Sequence, residues 1–130
     1  MTEASKYGNE AIGERLKTFR KFFLNGQQIT SSQLAGLLDE KPDRIRNYES
    51  GRSAIPIRLV VALDEIGLSM NYLLTGEGLI FSSSEKGIEL KSELDKTLID
   101  YPGRKTQNNN ITRLAAGDLT KESKNIKRKS

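Results

Sequence analysis

Between Ile12 and Gly78 a short pattern repeats, in which five segments have apolar residues at helical spacing and four of these segments are followed by a glycine. Apolar side chains three or four residues apart share one face of an α-helix, and glycine readily adopts the left-handed conformation that ends a helix. The repeat predicts five short helices in fewer than 70 residues. Helices this short are marginal alone and become stable by packing their apolar faces together. The sequence therefore predicts a small all-α bundle.

Capping signals place the ends of these helices. The first is predicted over residues 10–24, before Asn25-Gly26. Thr30, with Gln33 three residues later, fits a capping box at the start of the second. Pro42 suits the first turn of the third, which is expected to stop at Gly51. The remaining signals are Pro56 and Gly67 around the fourth helix, and Ser69 and the Gly76–Gly78 stretch around the fifth.

The chain changes character after Phe81. Three serines precede a sixth predicted helix over 85–99, whose apolar residues approximate a stripe: Ile88, Leu90, Leu94 and Leu98. We divide the chain into a flexible segment 1–9, a helical domain 10–81, a linker with a possible dimerisation helix 82–101, and a tail 102–130. The tail is polar and basic, which predicts disorder.

Composition excludes several classes of function. The chain has no cysteine and no histidine, which removes disulfides, thiolate metal sites and the commonest general base. We therefore expect no catalytic site, no metal and no cofactor. No apolar run is long enough for a transmembrane helix, and Met1–Glu10 lacks the apolar core of a signal peptide. A soluble cytoplasmic protein is expected.

The net charge of +4 is unevenly distributed. Residues 1–80 contain ten basic and ten acidic side chains, whereas residues 81–130 contain eleven basic and seven acidic ones. The basic character belongs to the C-terminal part, where it either keeps the chain soluble or adds contacts to phosphates. The helical domain as a unit is neutral.

Several segments together resemble the Cro/cI-type (XRE) family of helix-turn-helix DNA-binding proteins, which includes phage repressors. They are Ile12–Lys17 with Phe19-Arg20, Ile29–Leu38, Ile45 with Tyr48-Glu49 and Gly51, and Leu63 with Gly67–Ser69 and Asn71–Gly78. The resemblance covers about half of the chain and keeps its spacing across five helices. It implies a five-helix, phage-repressor-like bundle and a sequence-specific transcriptional regulator that binds double-stranded DNA. Such proteins lay the third helix, here 42–49, in the major groove.

The resemblance also assigns roles to individual residues. It implies DNA contacts by Ser31, Lys41, Pro42, Asp43, Arg44, Arg46, Asn47 and Arg52. Support of the third helix falls to Arg20, Ala35, Ile45, Tyr48, Glu49 and Gly51, with Arg20 and Glu49 joining the first helix to the end of the third. Asp39 occupies a turn position that requires a positive φ, where the family usually has glycine; aspartate tolerates it better than most residues. Asn47 suits adenine, and Arg44 or Arg46 suits guanine or phosphate.

The resemblance further implies a homodimer on a palindromic operator, acting as a repressor of prophage or mobile-element type. Candidate interface residues are Met70, Leu79, Ile80 and Phe81, or the helix 85–99. A second hypothesis stays open because Pro42 cannot hydrogen-bond through its side chain and Asp43 repels phosphate. The fold would then be an interaction module for a protein partner, such as an antitoxin or phage adaptor. The segment Ala115-Ala116-Gly117 resembles a repressor cleavage site, but too few residues follow it for a peptidase domain.

Overall fold

A computed structural model describes residues 5–23 and 26–104, which form six α-helices. Residues 1–4, the greater part of the basic tail (105–130) and the Ala115-Ala116-Gly117 segment lie outside the described residues. None of the described helices is both long and apolar enough to cross a membrane. The helices are α1 (Asn9–Phe22), α2 (Ser31–Leu38), α3 (Pro42–Ser50), α4 (Ile57–Glu65), α5 (Met70–Thr75) and α6 (Glu85–Thr97). The all-α prediction is confirmed.

Local capping chemistry sets most helix ends. The capping box predicted for α2 is confirmed, since Thr30 Oγ1 accepts from the Gln33 N–H at 3.0 Å and Gln33 Oε1 accepts from the Thr30 N–H at 2.8 Å. Pro42 opens α3, and Gly51 ends it at φ +83°. Helix α1 ends at Phe22 instead of residue 24, and the Gly26 N–H donates to the Phe22 carbonyl at 3.3 Å.

All six helices contribute to one apolar core. Its fully buried side chains include Leu16 and Phe19 of α1, Leu34 of α2, Ile45 of α3, Leu59 and Leu63 of α4, Leu73 of α5 and Leu94 of α6. The closest helix approach is between α1 and α3, where Gly13 lies against the backbone of Tyr48 and Glu49. The core thus holds α3 by one side only.

Helix α6 extends this core beyond the boundary expected at Phe81. Leu90 and Leu94 are buried in the same cluster, while the other two members of the expected stripe, Ile88 and Leu98, are 61% and 76% exposed. Two of the four residues of the stripe thus belong to the core, and the other two face solvent. Residues 67–69 and 80–82 run alongside each other, so that Leu68 pairs with Phe81 in an isolated antiparallel bridge and the Ser82 N–H donates to the Gly67 carbonyl at 2.8 Å.

The burial of Ile80 and Phe81 overturns their assignment to an exposed surface. They are 0% and 4% exposed, because α6 and the segment that follows it cover them. Phe81 packs against Tyr101 with ring centroids 5.0 Å apart, and the Ile80 N–H donates to the Pro102 carbonyl at 3.0 Å. Of the four apolar residues proposed for an interface, Met70 is exposed and Leu79 is half-buried.

Asp95 ties the segment after α6 to that helix. The Tyr101 hydroxyl donates to Asp95 Oδ1 at 2.5 Å, Lys91 Nζ donates to Oδ2 at 2.9 Å, and Arg104 Nε lies 3.7 Å from Oδ1. Burial by itself raises the pKa of Asp95, but the bonds from Tyr101 and Lys91 and the charges of Lys91 and Arg104 outweigh it, so the pKa lies below its usual 3.8.

Glycine at position 13 is required by the α1–α3 contact. A Cβ there would lie 2.3 Å from the Tyr48 carbonyl oxygen and 2.6 Å from that of Glu49, so Gly13→Ala should force the helices apart. We expect a loss of about 1–3 kcal/mol in the free energy of unfolding, measured by urea denaturation. Gly36→Ala is the control, because its Cβ would meet nothing within 4 Å. It should stabilise α2 by about 0.5–1 kcal/mol, and an equal loss for both variants would contradict the close approach.

The lowered pKa of Asp95 predicts an acid-dependent contribution to stability. Because its folded pKa lies below 3.8, the carboxylate stabilises the fold above that pH, and the contribution is lost as the pH falls through the folded value. Asp95→Asn should therefore unfold at lower urea than the wild type at pH 7, and the difference should shrink as the pH falls through the folded pKa of Asp95. A difference that stays constant from pH 7 to pH 2 would show that the charge of Asp95 has no part in it.

Candidate nucleic-acid interface

A three-residue turn, Asp39 to Lys41, sets the direction of α3 relative to α2. Asp39 adopts φ +54° and ψ +48°, the left-handed conformation expected at this position. Its N–H donates to the Gly36 carbonyl at 3.4 Å, and the Glu40 N–H donates to the Ala35 carbonyl at 2.8 Å. These bonds satisfy the open end of α2 and hold the chain in a sharp bend. Ala35 itself is 1% exposed beneath it.

Helix α3 has one buried and one exposed side. Ile45, Tyr48 and Glu49 are buried, whereas Asp43, Arg44 and Arg46 are exposed and Asn47 is half-buried. The spacing of Arg44 and Asn47, three residues apart, brings their side chains to neighbouring positions on the outer surface. The exposed side of α3 is therefore entirely polar apart from Pro42 at its start.

A buried ion pair fixes the end of α3 to α1. Arg20 Nε and Nη2 donate to the two carboxylate oxygens of Glu49 at 2.7 and 2.8 Å, a bidentate arrangement. Arg20 Nη1 also donates to the Ile29 carbonyl at 2.9 Å. Their side chains are 9% and 8% exposed. Arg20 and Glu49, expected to join these helices, are in direct contact.

Two shallow depressions flank Asn47 on the outer surface. One, of about 560 Å³, lies between α3 and the start of α4 and is lined by Arg44, Asn47, Tyr48, Ser53, Ala54, Pro56 and Arg58. The other, of about 500 Å³, lies on the opposite side of α3 and is lined by Asp43, Arg46, Asn47, Ser50 and Arg52. Each contains two arginines, and both are open to solvent. Asn47 lies on the ridge between them.

Carboxylates compensate the arginines of this surface. Glu40 Oε2 lies 3.2 Å from Arg58 Nη2, and Glu40 Oε1 lies 3.9 Å from Arg44 Nε. Asp43 pairs with Arg46 one turn away on α3. Arg52 and Lys41 form no ion pair with any described residue. The surface is therefore a mosaic of paired and unpaired charges with a modest positive excess.

The predicted contact residues do not all converge. Asp43, Arg44, Arg46, Asn47 and Arg52 line the two depressions, but Ser31 and Lys41 line neither. Ser31 is the first residue of α2, half-buried, and Lys41 is the exposed residue just before α3. Pro42 is half-buried and serves the start of the helix. The predicted set is thus a patch centred on Asn47, with Ser31 and Lys41 outside its two depressions.

Several residues of the surface were not among the predicted contacts. Arg58 and Ser53 line the larger depression, and Glu40 lies beneath Arg44 and Arg58. The four-residue spacing of Glu40 and Arg44 was a signal for their ion pair. Nothing local in the sequence joins Glu40 to Arg58, because that contact depends on how α4 packs.

The chain has no significant match among family models, curated proteins or solved structures. Residues 5–23 and 26–104 also contain no group of three or more carboxylate, histidine or cysteine side chains that could bind a metal ion. The chemistry of this surface is consequently that of hydrogen-bond donors, acceptors and guanidinium groups.

The buried pair should be far more sensitive to substitution than an exposed one. Glu49→Gln leaves the Arg20 charge buried without a counter-charge, and we expect it to cost about 3–5 kcal/mol in the free energy of unfolding. The control is Glu77→Gln, which breaks the exposed pair with Lys6 and should change stability very little. Chemical denaturation of both variants tests this. Equal effects of the two changes would mean that the burial of Arg20 and Glu49 is unimportant.

Proposed function

We propose that the chain is a sequence-specific DNA-binding transcriptional regulator with a phage-repressor-like helix-turn-helix fold of the Cro/cI (XRE) type. In this proposal α2 and α3 form the helix-turn-helix, and α3 enters the major groove of double-stranded DNA. The protein acts in the cytoplasm as a repressor of prophage or mobile-element type.

One observation carries the proposal. Helix α3 is held to the core by one side through Ile45, Tyr48 and Glu49, while its other side presents Arg44, Arg46 and Asn47 to solvent. A helix that reads bases needs this division, because the reading side chains must reach the groove while the helix axis stays fixed. The positive-φ turn at Asp39 supports the same interpretation, since it sets the angle between α2 and α3.

The chemistry of the patch suits base edges and phosphates. The amide of Asn47 can bind adenine through two hydrogen bonds, and Arg44 or Arg46 can bind guanine in the same bidentate manner. Arg52, Lys41 and Ser31, on the rim, are suited to phosphates, and Ser31 has the N-terminal N–H groups of α2 beside it. Pro42 and Asp43 serve mainly to start α3, where a carboxylate is favoured by the helix dipole.

The proposal includes a homodimer on a palindromic operator. Two recognition helices related by a two-fold axis would lie one helical turn apart, about 34 Å. Exposed Met70 and half-buried Leu79 remain candidates for the interface, together with the outer side of α6. Ile80 and Phe81 have no place in it, because they belong to the core.

A second candidate function is a protein-interaction module. The observation that favours it is the compensation of three exposed arginines by Glu40 and Asp43. A partner with mixed charges would complement such a surface better than a uniformly negative duplex. Under this alternative the fold is a scaffold with weak or no DNA binding.

Selection from a random DNA pool, followed by binding measurements across salt concentration, separates the two functions. We expect an enriched sequence and a log–log salt slope of about −0.9 per phosphate neutralised. Asn47→Ala and Arg46→Ala should each weaken binding to the enriched sequence by about 1–3 kcal/mol and relax preference at one base pair. Lys17→Ala, an exposed change on α1, serves as the matched control and should leave the preference unchanged.

Two outcomes would contradict this proposal. No detectable DNA binding at low salt would favour the interaction module. Binding with the preference unchanged in both the Asn47 and the Arg46 variant would mean that α3 does not read the bases.

A further inference from the structure

Glu40 occupies a position that connects three parts of the proposed DNA-binding surface. Its Oε1 accepts from the Lys41 N–H at 3.4 Å, just before α3 begins. The same oxygen lies 3.9 Å from Arg44 Nε of α3, and Oε2 lies 3.2 Å from Arg58 Nη2 in the first turn of α4. One carboxylate therefore joins the turn, α3 and α4.

The burial of Glu40 differs sharply from that of its partners. The Glu40 side chain is 9% exposed, whereas those of Arg44 and Arg58 are 59% and 64% exposed. A carboxylate so little exposed requires compensation, and the hydrogen bond from Arg58 and the nearby charge of Arg44 supply it. Each guanidinium has five N–H donors and keeps several of them for a ligand above.

We propose that Glu40 determines DNA selectivity in two ways. It positions Arg44 and Arg58 across the larger depression, and its charge repels phosphates that approach without a matching site. This inference rests on the proposed DNA-binding function and adds a residue that acts through others. Held in place, Arg44 presents its guanidinium to one base step and Arg58 to the adjoining phosphate. An arginine fixed before binding loses less side-chain freedom on binding.

The charge of Glu40 supplies the second half of the effect. Non-specific affinity for DNA comes almost entirely from neutralised phosphates. A carboxylate beneath two of the site's arginines lowers that attraction most for sequences whose phosphates approach these arginines without a matching site. The correct sequence regains the loss through the contacts of the fixed Arg44, and a wrong sequence does not. Selectivity of this kind needs a repulsive element as well as attractive ones.

The test compares the DNA duplex enriched from a random pool with a shuffled duplex of equal length. Glu40→Gln keeps the shape and removes the charge, so we expect tighter binding to the shuffled duplex and a salt slope steeper by about 0.9. The affinity for the enriched duplex divided by the affinity for the shuffled duplex should fall about threefold to tenfold. This change in the ratio is a part of what one base contact contributes. Glu40→Asp keeps the charge but is one methylene shorter. It should lower the ratio without steepening the slope.

Two controls separate positioning from other effects. Glu14→Gln removes an equal charge from the exposed side of α1 and should leave both the ratio and the slope unchanged. In an Arg44→Ala/Arg58→Ala background, Glu40→Gln should have no further effect on the ratio, because Glu40 acts through these two residues. Thermal unfolding of each variant verifies that the fold is retained, and Glu40→Asp serves if Glu40→Gln does not fold.

The outcomes that overturn the inference are distinct from failure of the proposed function. An unchanged ratio in Glu40→Gln or in Glu40→Asp overturns it while leaving DNA binding intact. So does an effect that persists in the Arg44→Ala/Arg58→Ala background, because Glu40 would then act through the fold. A wild-type protein that binds neither duplex overturns the proposed function and this inference with it.

Discussion

The ion pair between Arg20 and Glu49 is the contact on which the position of α3 depends. Both side chains are buried, and they lie on different helices. If α1 and α3 moved apart, each charge would lose its partner within an apolar interior. Arg20 also binds the Ile29 carbonyl, which brings the approach to α2 into the same contact. Buried ion pairs often contribute little net stability compared with apolar residues, but they disfavour arrangements in which the partners are apart. We infer that this pair selects one arrangement of α1, α2 and α3.

The ion pairs on the outer side of α3 differ in burial from the pair on its inner side. Asp43 and Arg46 form an exposed pair within one helical turn, where solvent screens the attraction and its contribution to stability is small. The Glu40 cluster is different, because the Glu40 side chain is only 9% exposed beside Arg44 and Arg58. The surface thus combines Arg46, which is readily released from Asp43, with Arg44 and Arg58, which stay near Glu40. A uniform basic patch would have neither property.

Local features of the fold could be predicted from the sequence, and features set by packing could not. The capping box at Thr30, the start of α3 at Pro42 and its end at Gly51 depend on neighbouring residues, and all three predictions are confirmed. The apolar stripe on α6 does not reveal which of its residues are buried, because the buried side of a short helix depends on its partners; Leu90 and Leu94 are buried, and Ile88 and Leu98 are exposed. For the candidate site, residues of α3 follow from helical spacing, whereas Arg58 enters through the packing of α4.

The two proposed functions require different contacts from Arg46 and Arg58. A DNA phosphate that binds Arg46 displaces only Asp43, which remains hydrated, so the cost is small. A phosphate that binds Arg58 cannot displace Glu40, because the carboxylate would then be buried with less compensation. The ligand must therefore bind the Arg58 guanidinium while Glu40 remains paired with that guanidinium. This limits the directions from which the ligand can approach. Under the proposed function, a duplex would have to satisfy this geometry with its phosphates, whereas a protein partner would need its own acceptors there. The restriction on Arg58 is thus the physical reason to expect a selective DNA contact instead of a general attraction.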